Sequence, residues 1–169
     1  MGYTSTGSYF EEFAAGDTFE HARGRTVTQA DNLAATHGTL NTAQAHFDLR
    51  YSTSMMDGAF AERLVMGGLT LAIVVGLTSA DLSENALGDL GLTGVRFPNP
   101  VYPGDTLCAR SEVLAVADVP ERSDAGSVQY RFTGSKDDGS TVVEGVRTIL
   151  VKRRMVYGER DGNAAVREV

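Results

Sequence analysis

Leu64-Val65-Met66-Gly67-Gly68-Leu69-Thr70-Leu71-Ala72-Ile73-Val74-Val75-Gly76-Leu77 is the most apolar stretch of the chain. Its apolar side chains fall on nearly every side of a helix rather than along one stripe, the pattern of a helix surrounded by protein. A membrane span needs about 20 apolar residues, and these fourteen positions are interrupted by Gly67, Gly68 and Gly76. The stretch therefore reads as a buried helix running from about Gly67 to Ser79. Two glycines at its start let another group approach the backbone closely and leave N–H donors at the positive end of the helix dipole.

Upstream of this helix, an apolar and acidic stretch, Tyr9–Phe19, precedes a short extended piece at Arg25–Val27. Thr28-Gln29-Ala30-Asp31 reads as a capping box variant, with an acid three residues after the cap. It opens a helix that stops near His37-Gly38, where glycine favours termination. Asp48 is suited to cap a second short helix through Tyr51, and Asp57-Gly58 breaks the chain again.

Downstream the character changes. Thr106–Val116, Ser127–Thr133 and Thr141–Val151 are rich in Val, Thr, Tyr and Phe and read as strands. Lys136-Asp137-Asp138-Gly139-Ser140 has hairpin-loop chemistry, and Pro103-Gly104 supplies a tight turn before the first of these strands. Gly88-Asp89-Leu90-Gly91-Leu92-Thr93-Gly94 is glycine-rich, but it lacks dinucleotide-binding spacing and a following helix and is set aside. Helices first and antiparallel strands afterwards make an α+β domain, a sheet curled around one apolar helix. One domain over 1–169 is expected, with a core at about 24–151 and frayed ends at residues 1–8 and 159–169.

The net charge of −7 argues against a general nucleic-acid binder, though clustered arginines could still hold phosphates. One cysteine, Cys108, cannot form an internal disulfide and sits in a strand pattern without a base nearby, so it reads as structural. Met1–Gly7 lacks the pattern of a secretory signal, and a cytoplasmic location is expected, with no membrane partner. No Gly-x-Ser-x-Gly elbow, P-loop or metal-spaced cluster is present, which narrows the field, and no metal or other cofactor is expected.

Chemistry is expected in the loop Thr39-Leu40-Asn41-Thr42-Ala43-Gln44-Ala45-His46-Phe47-Asp48, between the first two helices. On residue pattern alone, His46 divides evenly between a reactive group and a histidine bonded to backbone. Asn41 is as readily a loop residue as a site residue. Asp48 reads mainly as a cap and Asp31 as an exposed first-turn acid. His21 and His37 look isolated and partly exposed. Met66 reads as core filler. Arg63, Arg96, Lys152, Arg153 and Arg154 are the basic groups that could meet phosphates, although solvated charge is the commoner fate of any one of them.

The stretch from Gly24 to Val151 resembles the MaoC-like dehydratases, a hot-dog-fold family that includes R-specific enoyl-CoA hydratases. The resemblance is strongest at Val95-Arg96-Phe97-Pro98-Asn99-Pro100-Val101-Tyr102-Pro103-Gly104-Asp105-Thr106-Leu107. It extends to Arg63-Leu64-Val65 with Gly67 and the apolar helix, to Asp31, and to His46-Phe47-Asp48 with Tyr51. It implies a hydro-lyase that adds water reversibly to a 2-enoyl-CoA. His46 falls on the family's histidine, while Asn41 stands where the family has aspartate. Asn can orient a water but cannot take its proton. Met66 stands where many members have histidine, and Ala43-Gln44 replaces the usual Asn-Pro.

The resemblance further implies thioester binding at Gly67, Gly68 and Met66, with Arg63 and Arg96 toward the CoA, and at least a homodimer joined sheet edge to sheet edge. Leu-Asn-Thr-Ala-Gln and Gly-Gly-Leu-Thr-Leu-Ala resemble a subgroup acting on branched or dicarboxylic acyl-CoAs such as mesaconyl-CoA. Two alternatives stay open: an acyl-CoA thioesterase, and a non-catalytic acyl-CoA-binding subunit paired with a second hot-dog chain.

Overall fold

The computed structural model describes residues 8–58 and 60–158, so the ends expected to fray lie, apart from Ser8, outside the described residues. Among these residues three α-helices and six strands follow in chain order. They are β1 (Thr18–Glu20), β2 (Arg25–Thr26), α1 (Gln29–Gly38), α2 (Leu49–Ser54), α3 (Gly67–Leu77), β3 (Ala86–Arg96), β4 (Thr106–Asp118), β5 (Ala125–Lys136) and β6 (Thr141–Lys152). The strands form one antiparallel sheet in the order β1-β4-β5-β6-β3, with β2 also paired to β4.

Strands β4 and β5 alternate as a half-buried sheet should, whereas β6 is buried without alternation at Val142-Val143 and Ile149-Leu150-Val151. Leu107, Ala109, Ser111 and Val113 of β4 turn inward, as do Val128, Tyr130 and Phe132 of β5. Helix α3 lies across β4, β5 and β6, with Thr70 and Val74 as its buried residues. Where it crosses β5, the strand carries Gly134. A Cβ built there would sit 2.4 Å from Val74 Cγ2 and 3.0 Å from Val143 Cγ1. The sheet can therefore curl onto the helix only because that position has no side chain. The cover is one-sided: Gly68, Ala72 and Gly76, successive turns of one helix face, are exposed. No described helix is long and apolar enough to cross a membrane.

Helix α1 begins with the expected capping box. The Thr28 hydroxyl accepts from Asp31 N–H, and the Asp31 carboxylate accepts from Thr28 N–H at 2.9 Å. Those bonds to Thr28, and then the charge of Arg25, hold the Asp31 carboxyl below the ordinary carboxylate range.

One element was not foreseen and one expectation is corrected. Strand β3 contains the glycine-rich stretch that sequence reading set aside. Gly88 and Gly91 break its alternation, and register shifts interrupt its pairing with β6. Only that pairing makes it a strand, at the edge of the sheet, with Leu87, Leu90 and Leu92 exposed. His21 is neither isolated nor exposed, since it is buried, its ring Nδ1 lies 2.6 Å from Asp81 Oδ2 and its Nε2 lies 3.0 Å from Ser111 Oγ. The Phe19 ring stacks on it with 6.3 Å between centroids. His21 thus ties the β1 end to β4 and to the π-helical turn Ser79–Ser83 that follows α3. His37 is exposed, with the Phe47 ring 5.9 Å away.

Candidate active site

The loop after α1 turns on two local devices. Leu40 takes φ +55°, a left-handed conformation rare for a branched residue, and Asn41 Oδ1 accepts the Ala43 N–H at 2.9 Å, an Asx turn. The chain then makes a 3-10 turn, Gln44–His46. Asp48 Oδ1 accepts the Tyr51 N–H at 3.1 Å and caps α2, as its spacing predicts.

At the end of that turn, His46 Nδ1 lies 2.9 Å from the Leu64 carbonyl oxygen. A carbonyl can only accept, so Nδ1 carries the proton in the neutral ring and Nε2 carries the lone pair. Among the described residues Nε2 has no hydrogen-bond partner. The ring is half-buried and lines a cavity of about 440 Å³. Gly67 and Thr70 of α3 border the same cavity, as do Phe60, Phe97 and Val142. The signature Phe97-Pro98-Asn99-Pro100-Val101 forms one wall, and Asn99 Nδ2 fixes it to β6 by donating to the Thr141 carbonyl at 2.8 Å.

Helix α3 opens on this cavity without a side-chain cap. Met66 N–H is taken by Asn32 Oδ1 at 2.9 Å, whereas the N–H groups of Gly67 and Gly68, first-turn donors by position, bond to no described residue. Gly67 faces the cavity, and a Cβ there would stand 3.4 Å from the Phe97 ring. Gly68 is exposed and outside the lining. Met66 Sδ accepts the Thr39 hydroxyl at 3.6 Å, tying the loop to the helix start.

The remaining candidates separate. Asn41 does not line the cavity and its carboxamide oxygen is engaged in the turn. Arg63 Nε donates to the Phe47 carbonyl at 2.9 Å, beside His46, and has no carboxylate partner among the described residues. Arg96 is exposed at the end of β3, in a hollow with Gly94, Arg131 and Glu144, apart from the cavity. Arg153 pairs with Asp118, Arg154 pairs with Glu12, and the Lys152 ammonium sits 5.4 Å from the Tyr157 ring centre; none of the three lines the cavity. Cys108 is half-buried in β4.

Sequence reading missed Asn32. It is buried in the first half of α1, and its Nδ2 donates to both the His46 and the Leu64 carbonyls at 3.0 Å. The available signal was the polar pair Asn32 and Thr36, one turn apart on the buried face of α1. A buried polar face implies partners, but burial itself is not written in the sequence.

The profile of the mesaconyl-CoA hydratase family matches residues 3–168. The chain is 31% identical over 137 residues to the beta-methylmalyl-CoA dehydratase of Chloroflexus aurantiacus, covering 81% of this chain and 38% of that protein. It is 31% identical over 157 residues to the mesaconyl-CoA hydratase of Cereibacter sphaeroides, covering 89% and 43%. The chain thus spans about two fifths of the length of these curated relatives. Among solved structures, a Mycobacterium tuberculosis protein described as a double hotdog fold superposes with a TM-score of 0.78 at 22% identity, covering 88% of this chain and 45% of that one. With the helix-crossed antiparallel sheet and the histidine loop facing the helix start, these matches establish that the chain belongs to the mesaconyl-CoA hydratase family, among the MaoC-like dehydratases with the hot-dog fold.

Proposed function

We propose that this chain carries the site of a hydro-lyase that adds water reversibly to a 2-enoyl-CoA, with His46 as the proton-transfer group. The observation that carries the reading is the His46–Leu64 hydrogen bond. It leaves a proton-accepting Nε2 on a ring that borders a cavity opening on the start of α3. In the proposed step, water oxygen bonds to C3 of the enoyl group as Nε2 takes a proton from it. The electron pair of the double bond moves toward the thioester oxygen, where the Gly67 N–H and the helix dipole meet the charge. The imidazolium then returns its proton to C2, so all atoms of water end on the product. Asn41 acts by holding the turn that delivers His46.

The relatives' names extend the proposal to a short branched or dicarboxylic acyl group. The walls are apolar apart from a few polar groups, which suits a small acyl chain. Arg63, anchored next to His46, is the cation available to a free carboxylate or a CoA phosphate. A second reading is supported by the absence of a carboxylate from the described lining. In it this chain needs a second hot-dog unit, another copy or another segment, to complete the site. The exposed Leu87, Leu90 and Leu92 of edge strand β3 offer such a unit a place to join.

The test is incubation with crotonyl-CoA and with mesaconyl-CoA while enoyl absorbance and free thiol are followed together. Enoyl loss without thiol, abolished by His46→Gln, supports the hydro-lyase. Thiol release would make the chain a thioesterase, and binding without either change would make it an accessory unit.

A further inference from the structure

We infer that Asn32 is the positioning residue of this site, because its one carboxamide selects the tautomer and orientation of His46 while locking the histidine loop to the start of α3. The inference rests on the hydro-lyase reading for its catalytic consequence, but not for its structural content. The two hydrogens of Nδ2 are divided between the His46 carbonyl and the Leu64 carbonyl, each at 3.0 Å. The same Leu64 carbonyl accepts from the His46 ring at 2.9 Å. The bonds therefore form a closed loop from the His46 backbone through Asn32 to Leu64 and back to the His46 ring.

The third bond, from Met66 N–H to Asn32 Oδ1 at 2.9 Å, carries the lock to the residue that precedes Gly67. The amide orientation is fixed by its partners. Reversed, the oxygen would face two carbonyls and the NH2 an N–H. Asn32 is 1% exposed, so water cannot readily replace these bonds. Its backbone is held in turn, the carbonyl accepting the buried Thr36 hydroxyl at 2.7 Å.

The chemical consequence lies in the Leu64 oxygen. It has two lone pairs, and Asn32 occupies one while holding the other toward His46. The far side of that peptide is held by the Val65 N–H, which donates to the Val101 carbonyl at 2.9 Å. Without Asn32 the peptide can still pivot about that single bond, so it would hold the ring less firmly and the neutral imidazole would divide between its two N–H forms. Only the form protonated at Nδ1 presents a lone pair at Nε2. No other side chain among the described residues contacts both the histidine loop and the backbone at the helix start with such a set of bonds. Arg63 reaches only the Phe47 carbonyl, and Thr39, whose hydroxyl also meets the Ala35 and Thr36 carbonyls, touches the helix start only at the Met66 sulfur.

The experiment follows the imidazole nitrogens of the full chain by long-range proton–nitrogen correlation, with His46 assigned from the spectrum of His46→Gln. In the unsubstituted protein His46 is expected to be protonated at Nδ1, and a majority of the Nε2–H form would overturn the inference whatever the variants do. Asn32→Leu, which keeps the branched side-chain shape though it is bulkier, removes all three bonds; Asn32→Asp keeps an acceptor for Met66 N–H but cannot donate to both carbonyls. Either folded variant is expected to show a mixed-tautomer signal and kcat lowered about tenfold or more, with KM little changed. Activity lost with the His46 signals unmoved would reduce Asn32 to a folding role and refute the inference. If no enoyl-CoA reacts yet the tautomer shifts, the inference stands and the hydro-lyase reading is what fails.

Discussion

Replacing Gly134 by alanine tests how closely the sheet is held to the central helix. A Cβ at that position would lie 2.4 Å from Val74 Cγ2, 2.9 Å from Val74 Cγ1 and 3.0 Å from Val143 Cγ1. Carbon atoms rest at about 3.5–4.0 Å, so the nearest pair must separate by roughly 1 Å. Val74 cannot simply rotate away, because a β-branched residue in a helix has one strongly preferred χ1 and Val74 is fully buried. The helix itself must lift from β5. Overpacking of this kind costs about 1–3 kcal/mol, which for a domain of this size lowers Tm by about 2–12 °C at roughly 2–4 °C per kcal/mol.

Val74→Ala alone removes two buried methyl groups at about 0.8 kcal/mol each, plus whatever cavity remains. In the double variant the alanine at 134 fills space that Val74 vacated, so the two losses should not add. Urea unfolding of the four proteins gives the coupling directly, and about 1 kcal/mol or more is expected in the compensating direction. Gly134→Ala as stable as the unsubstituted protein, or strictly additive losses, would refute the close-approach argument.

Asn41→Asp keeps an oxygen for the Ala43 N–H, so the fold should be retained, and because residue 41 does not line the cavity the hydration rate should not rise; a large gain, measured by enoyl absorbance, would make this position the limiting base after all. His21→Ala strands the buried Ser111 hydroxyl and removes the partner of Asp81, and should cost about 1–3 kcal/mol in urea unfolding. Its site lies a helix length from His46, so turnover of the folded fraction should be unchanged. Asp89 is held below the ordinary carboxylate range chiefly by its hydrogen bond from Arg147. A lowered folded pKa adds stability above the unfolded value of about 3.9 and loses it as pH falls through the folded value. Asp89→Asn should therefore make Tm less sensitive to pH below about 4, and an unchanged acid slope would show that the pair contributes nothing.

Residue order alone determined the elements that make their own arguments. The capping box at Thr28 and Asp31, the Asp48 cap and the Lys136–Ser140 hairpin loop are local hydrogen-bond devices, complete within a few residues. The long apolar run could only be the central helix of an α+β domain, and the Val-, Thr-, Tyr- and Phe-rich stretches that became β4, β5 and β6 could only be strands. His46 was singled out as a candidate by its loop and by family likeness.

Tertiary structure decided whatever depends on a partner distant in the chain. Strand β3 has no persuasive pattern of its own and exists because β6 pairs with it. His21 looked exposed because Asp81 and Ser111 lie 60 and 90 residues away. Asn32 drew no notice in the sequence. Burial turned its amide into the junction of the histidine loop and the helix start, since polar atoms shut away from water must bond to whatever the fold brings to them.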